Sequence, residues 1–355
     1  MTSYERVMRA IEFRGPDRVP FASGVPGTTD VFMMLHYPAR DWQPDPGYYP
    51  NLHPALYYIG NWRFKKSMPL DVQSSGRERQ DEFGCVWKSV MEKSIGEVVG
   101  HPLKSLEDIG SLRLPDPHAP GRFARFAFYR RVAAGNSFVL GHLDNGLWER
   151  MHFLRGFGDL LMDIAVQPER VGALADRLMD EWYIPMIRRH AAFGAHGVIF
   201  ADDWGMQDGP MISPKSWIEI FKPRYSRMFD AAHGLGLKTF MHSCGHIRAY
   251  LHDLIDAGLD VIQKDDICFM GLEELAEEFA GKICFMSMLD IQRVMPGADD
   301  AKIFEETRRM IRAVGAKDGG LIGTYYTQPE AAGCTWRQMF VMRAAFLKYG
   351  KYPVA

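Results

Sequence analysis

Cysteine is scarce in this chain. There are five in 355 residues (Cys85, Cys244, Cys268, Cys284 and Cys334), an odd number at wide spacing. That excludes a disulfide framework as the source of stability and fits a reducing compartment. An excess of one charge sign is also lacking. A net charge of −2 provides no field to attract a polyanion, so nucleic acid is not expected as a partner, and Arg122, Arg125, Arg130 and Arg131 read as a solvated helix face. Apolar runs do not exceed strand length, which argues against a membrane span. The opening MTSYERVMRAIEFRGPDRVPF carries charges throughout and no signal-peptide core, so the expected location is the cytoplasm. No glycine-rich phosphate loop follows the first strand, so dinucleotide binding has no support.

What the chain does have is alternation. Ser3 can cap a first helix with Val7, Met8 and Ile11 on one face, ended by Gly15-Pro16, and Arg18 to Ser23 reads as a first inner strand. Residues 24 to 80 are rich in Pro, Gly, Tyr and Trp without sustained periodicity and read as long loops and short helices. Residues 84 to 100 read as a hairpin around Ser94-Ile95-Gly96. From about 137 onward, strands FVLGHL, GVIFADDWG, LKTFMHS, DVIQKDD, KICFMSMLD and GGLIGTYYT alternate with helical segments. Such alternation means a parallel sheet, and with the earlier strand or strands the count approaches eight. The expected fold class is therefore α/β, a (β/α)8 TIM barrel with an elaborated N-terminal region. The expected organisation is one domain over 1–355, with N-terminal loops, helices and hairpin at about 24–135 and regular βα units at about 137–350.

The segment LKTFMHSCGHI is the focus of the functional reading. An apolar run bounded by Gly236 and Gly245 ends in His242 and Cys244, two positions apart, so on extended backbone both point the same way and can share a soft cation such as Zn²⁺. The other strand ends are equally polar. They carry His142, Asp144 and Asn145; Asp202, Asp203, Trp204 and Gln207; Gln263, Asp265 and Asp266; Asp290 and Gln292; and Tyr325, Tyr326, Gln328 and Glu330. Carboxylates gathered in such a mouth suit acid, base or metal-ligand roles, although Asp290 also fits a helix cap, and one of Asp202 and Asp203 fits a backbone acceptor. Trp148, Trp204, Tyr325 and Tyr326 are candidates to wall a substrate pocket, or are simply core. Cys334 is the best-placed third thiolate, Cys284 has an even choice of faces, and Cys85 and Cys268 read as hairpin or loop residues.

Taken in order, ERVMRAIEFRGPDRVP, ADDWGMQDGPMISPKSWIEIFKPRY, HSCGHIRAYLHDLIDAGLDVIQ, MLDIQ and AAFLKYG resemble the uroporphyrinogen decarboxylase superfamily, especially its methyltransferase-like branch of cobalamin-linked enzymes. The resemblance covers nearly the whole chain and implies a (β/α)8 barrel with its site at the strand ends. True decarboxylases carry an arginine-rich segment that grips the carboxylates of a tetrapyrrole, whereas here the corresponding region reads FASGVPGTTD, so uroporphyrinogen itself is not the expected substrate. The cobalamin-linked methyltransferases hold zinc with a His-x-Cys pair and a later Cys. His242 and Cys244 match the pair, while the third ligand stays open among Cys334, Cys284 and an aspartate.

The expected activity is therefore a zinc-dependent methyltransferase that moves a methyl group between a small substrate, of methyl ether, methylamine or thiol type, and cobalamin carried on a separate corrinoid protein. In this reading His242, Cys244 and Cys334 are the metal set. Asp202, Asp203, Gln207, Gln263, Asp290 and Tyr326 orient substrate, aim ligands or move protons, and His142, Trp148, Trp204 and Tyr325 contact substrate. A homo-oligomer fits as well. The rival is a metal-free decarboxylase of a small acid, with Asp202 stabilising a protonated intermediate and His242 as acid or orienter. A scaffold that has lost activity is the third class; it fits less well, because buried acids without a task cost stability.

Overall fold

The computed structural model describes residues 1–23, 28–36, 78–88, 96–132, 134–326 and 329–354. Its strands in chain order are β1 (Phe21–Ala22), β2 (Val31–Leu35), β3 (Glu78–Gln80), β4 (Val86–Lys88), β5 (Glu97–Gly100), β6 (Phe138–Asn145), β7 (Gly197–Ala201), β8 (Lys238–His242), β9 (Val261–Lys264), β10 (Cys284–Ser287) and β11 (Leu321–Thr324). Eight of them form one sheet in the order β1-β11-β10-β9-β8-β7-β6-β2, every pairing parallel, with helices in the connections. This is a (β/α)8 barrel. Its two end strands meet through Asp30 rather than a full ladder. The Asp30 amide donates to Phe21 O at 2.9 Å, and its carboxylate accepts from Phe21 N at 2.8 Å, Arg6 Nη1 at 2.8 Å and Arg18 Nη1 at 2.7 Å.

β2 corrects the expectation of loops and short helices over 24–80. VFMML is a five-residue apolar run with no alternating polar partner, as a strand covered on both faces should be. Residues 24–27 and 37–77 of that stretch lie outside the described residues. Of the hairpin expected over 84–100, the antiparallel pair is present as β4 and β5, while Ser94 and Ile95 of its turn lie outside the described residues, and β3 adds a third antiparallel strand. Asp81 ties this small sheet together, accepting from Phe83 N and Cys85 N, both at 2.9 Å, and from Trp87 Nε1 and Arg150 Nη1, both at 3.1 Å. Arg122 is not on a solvated face. It is fully buried, bonds both Glu82 carboxylate oxygens at 2.8 and 2.9 Å, and lies over the Trp182 ring.

Strand alternation divides the apolar residues into two sets. Ala22, Val31, Phe138, Leu140, Ile199, Phe240, Val261, Cys284, Met286 and Ile322 fill the barrel together with Val7 and Ile11. Their neighbours Val139, Val198, Phe200, Met241, Ile262, Phe285 and Leu321 pack against the helices. Val7 and Ile11 come from the first helix, Ser3–Ile11, capped by Thr2 rather than Ser3, whose Ala10 carbonyl accepts from Gly320 N at 2.8 Å. This helix closes the amino-terminal end of the barrel, leaving the carboxyl ends of the strands as the open mouth. Among the described residues no helix is long and apolar enough to cross a membrane.

Candidate metal centre at the barrel mouth

β7 and β8 are locked in register, Ala201 opposite His242, and β9 sets Gln263 opposite His242 on the other side. Ile199 and Phe240 face inward, so Asp203 and His242, on the same alternation, also turn to the barrel axis. Beyond the strands, the segments after β7 and β8 lie back to back. A Cβ on Gly205 would come within 2.5 Å of Gly245 C and His246 N, and Gly245, at φ +69°, faces the Gly205 carbonyl with no room for a Cβ. His246 N donates to Met206 O at 2.7 Å and Trp204 N to Ser243 Oγ at 3.0 Å. The buried Lys264 ammonium then clamps the turn, donating to Ser243 O at 2.8 Å and Gly245 O at 2.6 Å. The glycines of DDWG and HSCG are thus required by close backbone approach, and the outcome is a fixed position for Cys244.

Asp203, His242 and Cys244 each offer one ligand atom, all within 4.8 Å of one another. His242 Nε2 lies 3.3 Å from Cys244 Sγ and 3.4 Å from Asp203 Oδ1, which also accepts from Cys244 N at 2.7 Å. Gln263 fixes the imidazole. Its Nε2 donates to Asp265 Oδ1 at 3.0 Å, which turns its Oε1 to His242 Nδ1, so Nδ1 carries the proton. In the neutral ring this directs the Nε2 lone pair at Asp203 and Cys244. Burial pushes the Asp203 carboxyl up, but its contacts with His242 and the Cys244 amide outweigh burial and hold it at about 2. For His242, burial favours the neutral ring and is outweighed by Asp203 and Cys244, which raise its pKa. A cation entering here would displace that proton.

The donor set fits zinc. Bonds of about 2.0–2.1 Å to nitrogen or oxygen and about 2.3 Å to sulfur put tetrahedral ligand atoms roughly 3.3–3.6 Å apart. The two separations from His242, 3.3 and 3.4 Å, lie in that range, and the Asp203 and Cys244 ligand atoms, within 4.8 Å of each other, would close on a bound ion.

The remaining expected site residues divide sharply. Asp202 does not face the mouth. It is fully buried against the helix Leu147–Arg155, accepting from Glu149 N at 2.9 Å and from the Tyr225 hydroxyl, with burial driving its pKa well up. It caps a helix whose own N-cap, Gly146, has no side chain to do so. Trp148 and Trp204, expected to wall a pocket, stack on each other at 4.8 Å inside the helix layer, fully buried. Tyr325 is buried edge-on against Phe21 and Trp336. Gln207 is exposed in the turn between Gly205 and Pro210 and bonds none of the triad; the residue that aims a ligand is Gln263.

Cys334 is buried, its Sγ near the Ile291 and Ala332 carbonyls at 3.9 and 3.6 Å, and does not join the group; Asp203 is there instead. Cys284 faces the apolar barrel interior. Cys85, expected as a hairpin residue, is buried beside Asp81. Tyr326 is half-buried within electrostatic reach of His242 and Cys244. Gln328 lies outside the described residues.

Asp290 is buried and caps the turn after β10, accepting from Gln292 N at 2.8 Å and Arg293 N at 2.7 Å. It also hydrogen-bonds Asp266, whose pKa is pushed up to about 7 by burial and by this neighbour. A carboxyl raised from an ordinary value near 4 stabilises the fold below that value and loses the contribution as pH climbs through 7. The Asp266→Asn chain, which keeps the acceptor for Cys268 N and Phe269 N, should therefore gain over wild type with rising pH. At pH 8 the gain in Tm should be about 2–4 °C, read by calorimetry from pH 5 to 8. A difference that does not change with pH contradicts the raised pKa of Asp266.

His142 ends the inward row of β6. The chain then turns sharply at Asp144, at φ +57°, where the β6–β7 register shifts. Asp144 N donates to His142 Nδ1 at 3.0 Å, and the Asp144 carboxylate is 3.0 Å from Nε2 of the buried His36, a residue of the stretch that had read as loop.

An imidazole, a thiol and a carboxylate that converge at the strand ends of a (β/α)8 barrel can hold a metal ion where such barrels place their sites. The uroporphyrinogen decarboxylase (URO-D) family profile matches residues 81–323, and the chain belongs to that family. Among solved structures it is similar to a methyltransferase from Methanosarcina mazei, with a TM-score of 0.67 and 14% identity, covering 98% of this chain and 99% of that one. More remote is an endo-β-1,4-xylanase from Gloeophyllum trabeum, with a TM-score of 0.40, 14% identity and coverage of 63% and 80%. Among curated proteins none matches.

Proposed function

We propose that this protein is a zinc-dependent methyltransferase working with a separate corrinoid protein. The observation that carries the reading is the convergence of Asp203, His242 and Cys244, with the imidazole lone pair aimed by Gln263. Membership of the URO-D family and the likeness of the whole barrel to a methyltransferase support it. Asp203, His242 and Cys244 would hold the zinc, which supplies a Lewis acid with a coordination position open to the substrate. Gln263 keeps the His242 proton on Nδ1, and the Lys264 clamp fixes the backbone on either side of Cys244, whose sulfur lies 3.3 Å from His242 Nε2. Tyr326, half-buried within electrostatic reach of His242 and Cys244, would exchange a proton with a bound group. The corrinoid partner and the soluble, cytoplasmic setting belong to the same proposal.

The decarboxylase alternative loses its central residue, because Asp202 is sealed behind the strand against Tyr225. The test is methyl transfer to reduced free cobalamin, followed by its visible spectrum, from methyl ether, methylamine and methylthiol donors. Methylcobalamin should form with zinc-loaded wild type and fall by roughly a hundredfold or more in Cys244→Ser, since even outer partners of a metal are worth 10–100-fold. Release of carbon dioxide from a small acid, with no methyl transfer to cobalamin, contradicts the proposal.

A further inference from the structure

His142 is the one inward-facing imidazole at the mouth, among the described residues, that the triad does not use. Its position is determined by backbone geometry. The Asp144 amide donates back to Nδ1 at 3.0 Å, and Asp144 itself takes the left-handed conformation, at φ +57°, that turns the chain away from the strand. A backbone N–H can only donate, so Nδ1 must hold a lone pair and the ring proton must sit on Nε2. Non-glycine residues enter this conformation at a cost, which persists only where neighbours hold it. Here the neighbour is His36, deeply buried, with Nε2 3.0 Å from the Asp144 carboxylate and Nδ1 3.3 Å from the His142 carbonyl. The register shift between His142 and Asn145 makes room for the turn.

Among the described residues nothing accepts from His142 Nε2, and the side chain keeps contact with solvent while the burial that surrounds it favours the neutral ring, with a pKa of about 4. It also lies within electrostatic reach of His242.

We infer that His142 is a hydrogen-bond donor that selects a substrate carrying an acceptor oxygen beside the metal centre, a methyl ether rather than a methylammonium. The inference rests on the reading of the site given under Proposed function and narrows its substrate class. A methylammonium has only donors to offer, and two facing donors repel, whereas an ether oxygen has only lone pairs. A thioether or thiol is a weak acceptor and gains less. Asp144 and His36 are then positioning residues that act through the tautomer of His142.

Two measurements on the full-length protein test this. Selective ¹⁵N-histidine spectra of the metal-free wild type, with His142 assigned by its loss in His142→Asn, should show the Nε2–H tautomer, neutral at pH 7. A ring found as imidazolium or as the Nδ1–H tautomer overturns the inference, whatever the protein's activity. Calorimetric titration of the zinc-loaded protein with 2-methoxyphenol, methylammonium chloride and ethanethiol should then rank methoxyphenol first. His142→Phe, checked for an intact melting transition, should weaken that ligand about tenfold, the worth of one neutral hydrogen bond, and leave the other two unchanged. Preference for methylammonium, an unchanged methoxyphenol affinity in His142→Phe, or zinc bound normally with none of the three probes held overturns the inference alone. Failure to bind zinc overturns the reading on which it rests.

Discussion

Replacing His242 by alanine or Cys244 by serine should leave under about a tenth of the zinc that the wild type holds, when the proteins are purified without chelator and assayed by plasma emission. Each substitution removes one of three protein ligands, and a three-ligand site tolerates no such loss. Asp203→Asn should also lose most of its zinc, because a neutral amide is a far poorer ligand than a carboxylate held at a pKa of about 2. Gln263→Ala should weaken zinc binding by about 10–100-fold without abolishing it, since it leaves the His242 ring free to adopt the wrong tautomer. Cys334→Ser should change nothing. Its sulfur lies beside the Ile291 and Ala332 carbonyls, outside the group formed by Asp203, His242 and Cys244. A wild-type zinc content in Cys244→Ser removes the proposed chemistry.

Gly245→Ala should cost the most stability of any small change near the site. The position has φ +69°, which penalises an L side chain by about 1 kcal/mol or more, and its Cβ would run into the Gly205 backbone rather than into a yielding side chain. The two strand-end segments would have to part, taking with them the His246 to Met206 hydrogen bond and the two Lys264 contacts. An overall loss of roughly 3 kcal/mol is expected, a fall in Tm of about 5–10 °C by calorimetry, with zinc affinity reduced in parallel. Gly209→Ala, in the neighbouring turn where an added Cβ meets nothing, is the matched control and should change Tm by less than about 2 °C. Equal effects of the two substitutions contradict the role given to the back-to-back glycines.

The later barrel was legible because parallel strands buried on both faces are written as short apolar runs, and β6 to β11 each have one ending in a polar turn. β2 has such a run too, VFMML. It was lost among the prolines, glycines and aromatics of its surroundings, and with it His36. The pairing of His242 with Cys244 followed from alternation on a strand. The choice between Asp202 and Asp203 did not, since neighbours on a strand face opposite ways and the sequence does not say which way is inward. Register decided it: Asp203 continues the inward row of Ile199 and Ala201, and Asp202 falls to the helix side, where Gly146 leaves space for it. Trp148 and Trp204 illustrate the same limit, because an indole near a strand end serves a pocket or a core equally well until its neighbours are known. From sequence, Gln263 reads as a group that orients substrate or moves a proton. Its task as the orienter of His242 depends on the pairing of β8 with β9 and on Asp265, neither of which composition or spacing reveals.

The proposed chemistry requires a single nitrogen, a single sulfur and a carboxylate to form one metal site. Zinc K-edge X-ray absorption of the zinc-loaded wild type tests this most directly. The expected spectrum has one sulfur at about 2.3 Å and the remaining shell of nitrogen and oxygen at about 2.0–2.1 Å. Two sulfurs in the first shell would bring in a second thiolate and contradict the assignment of Asp203 as the third protein ligand.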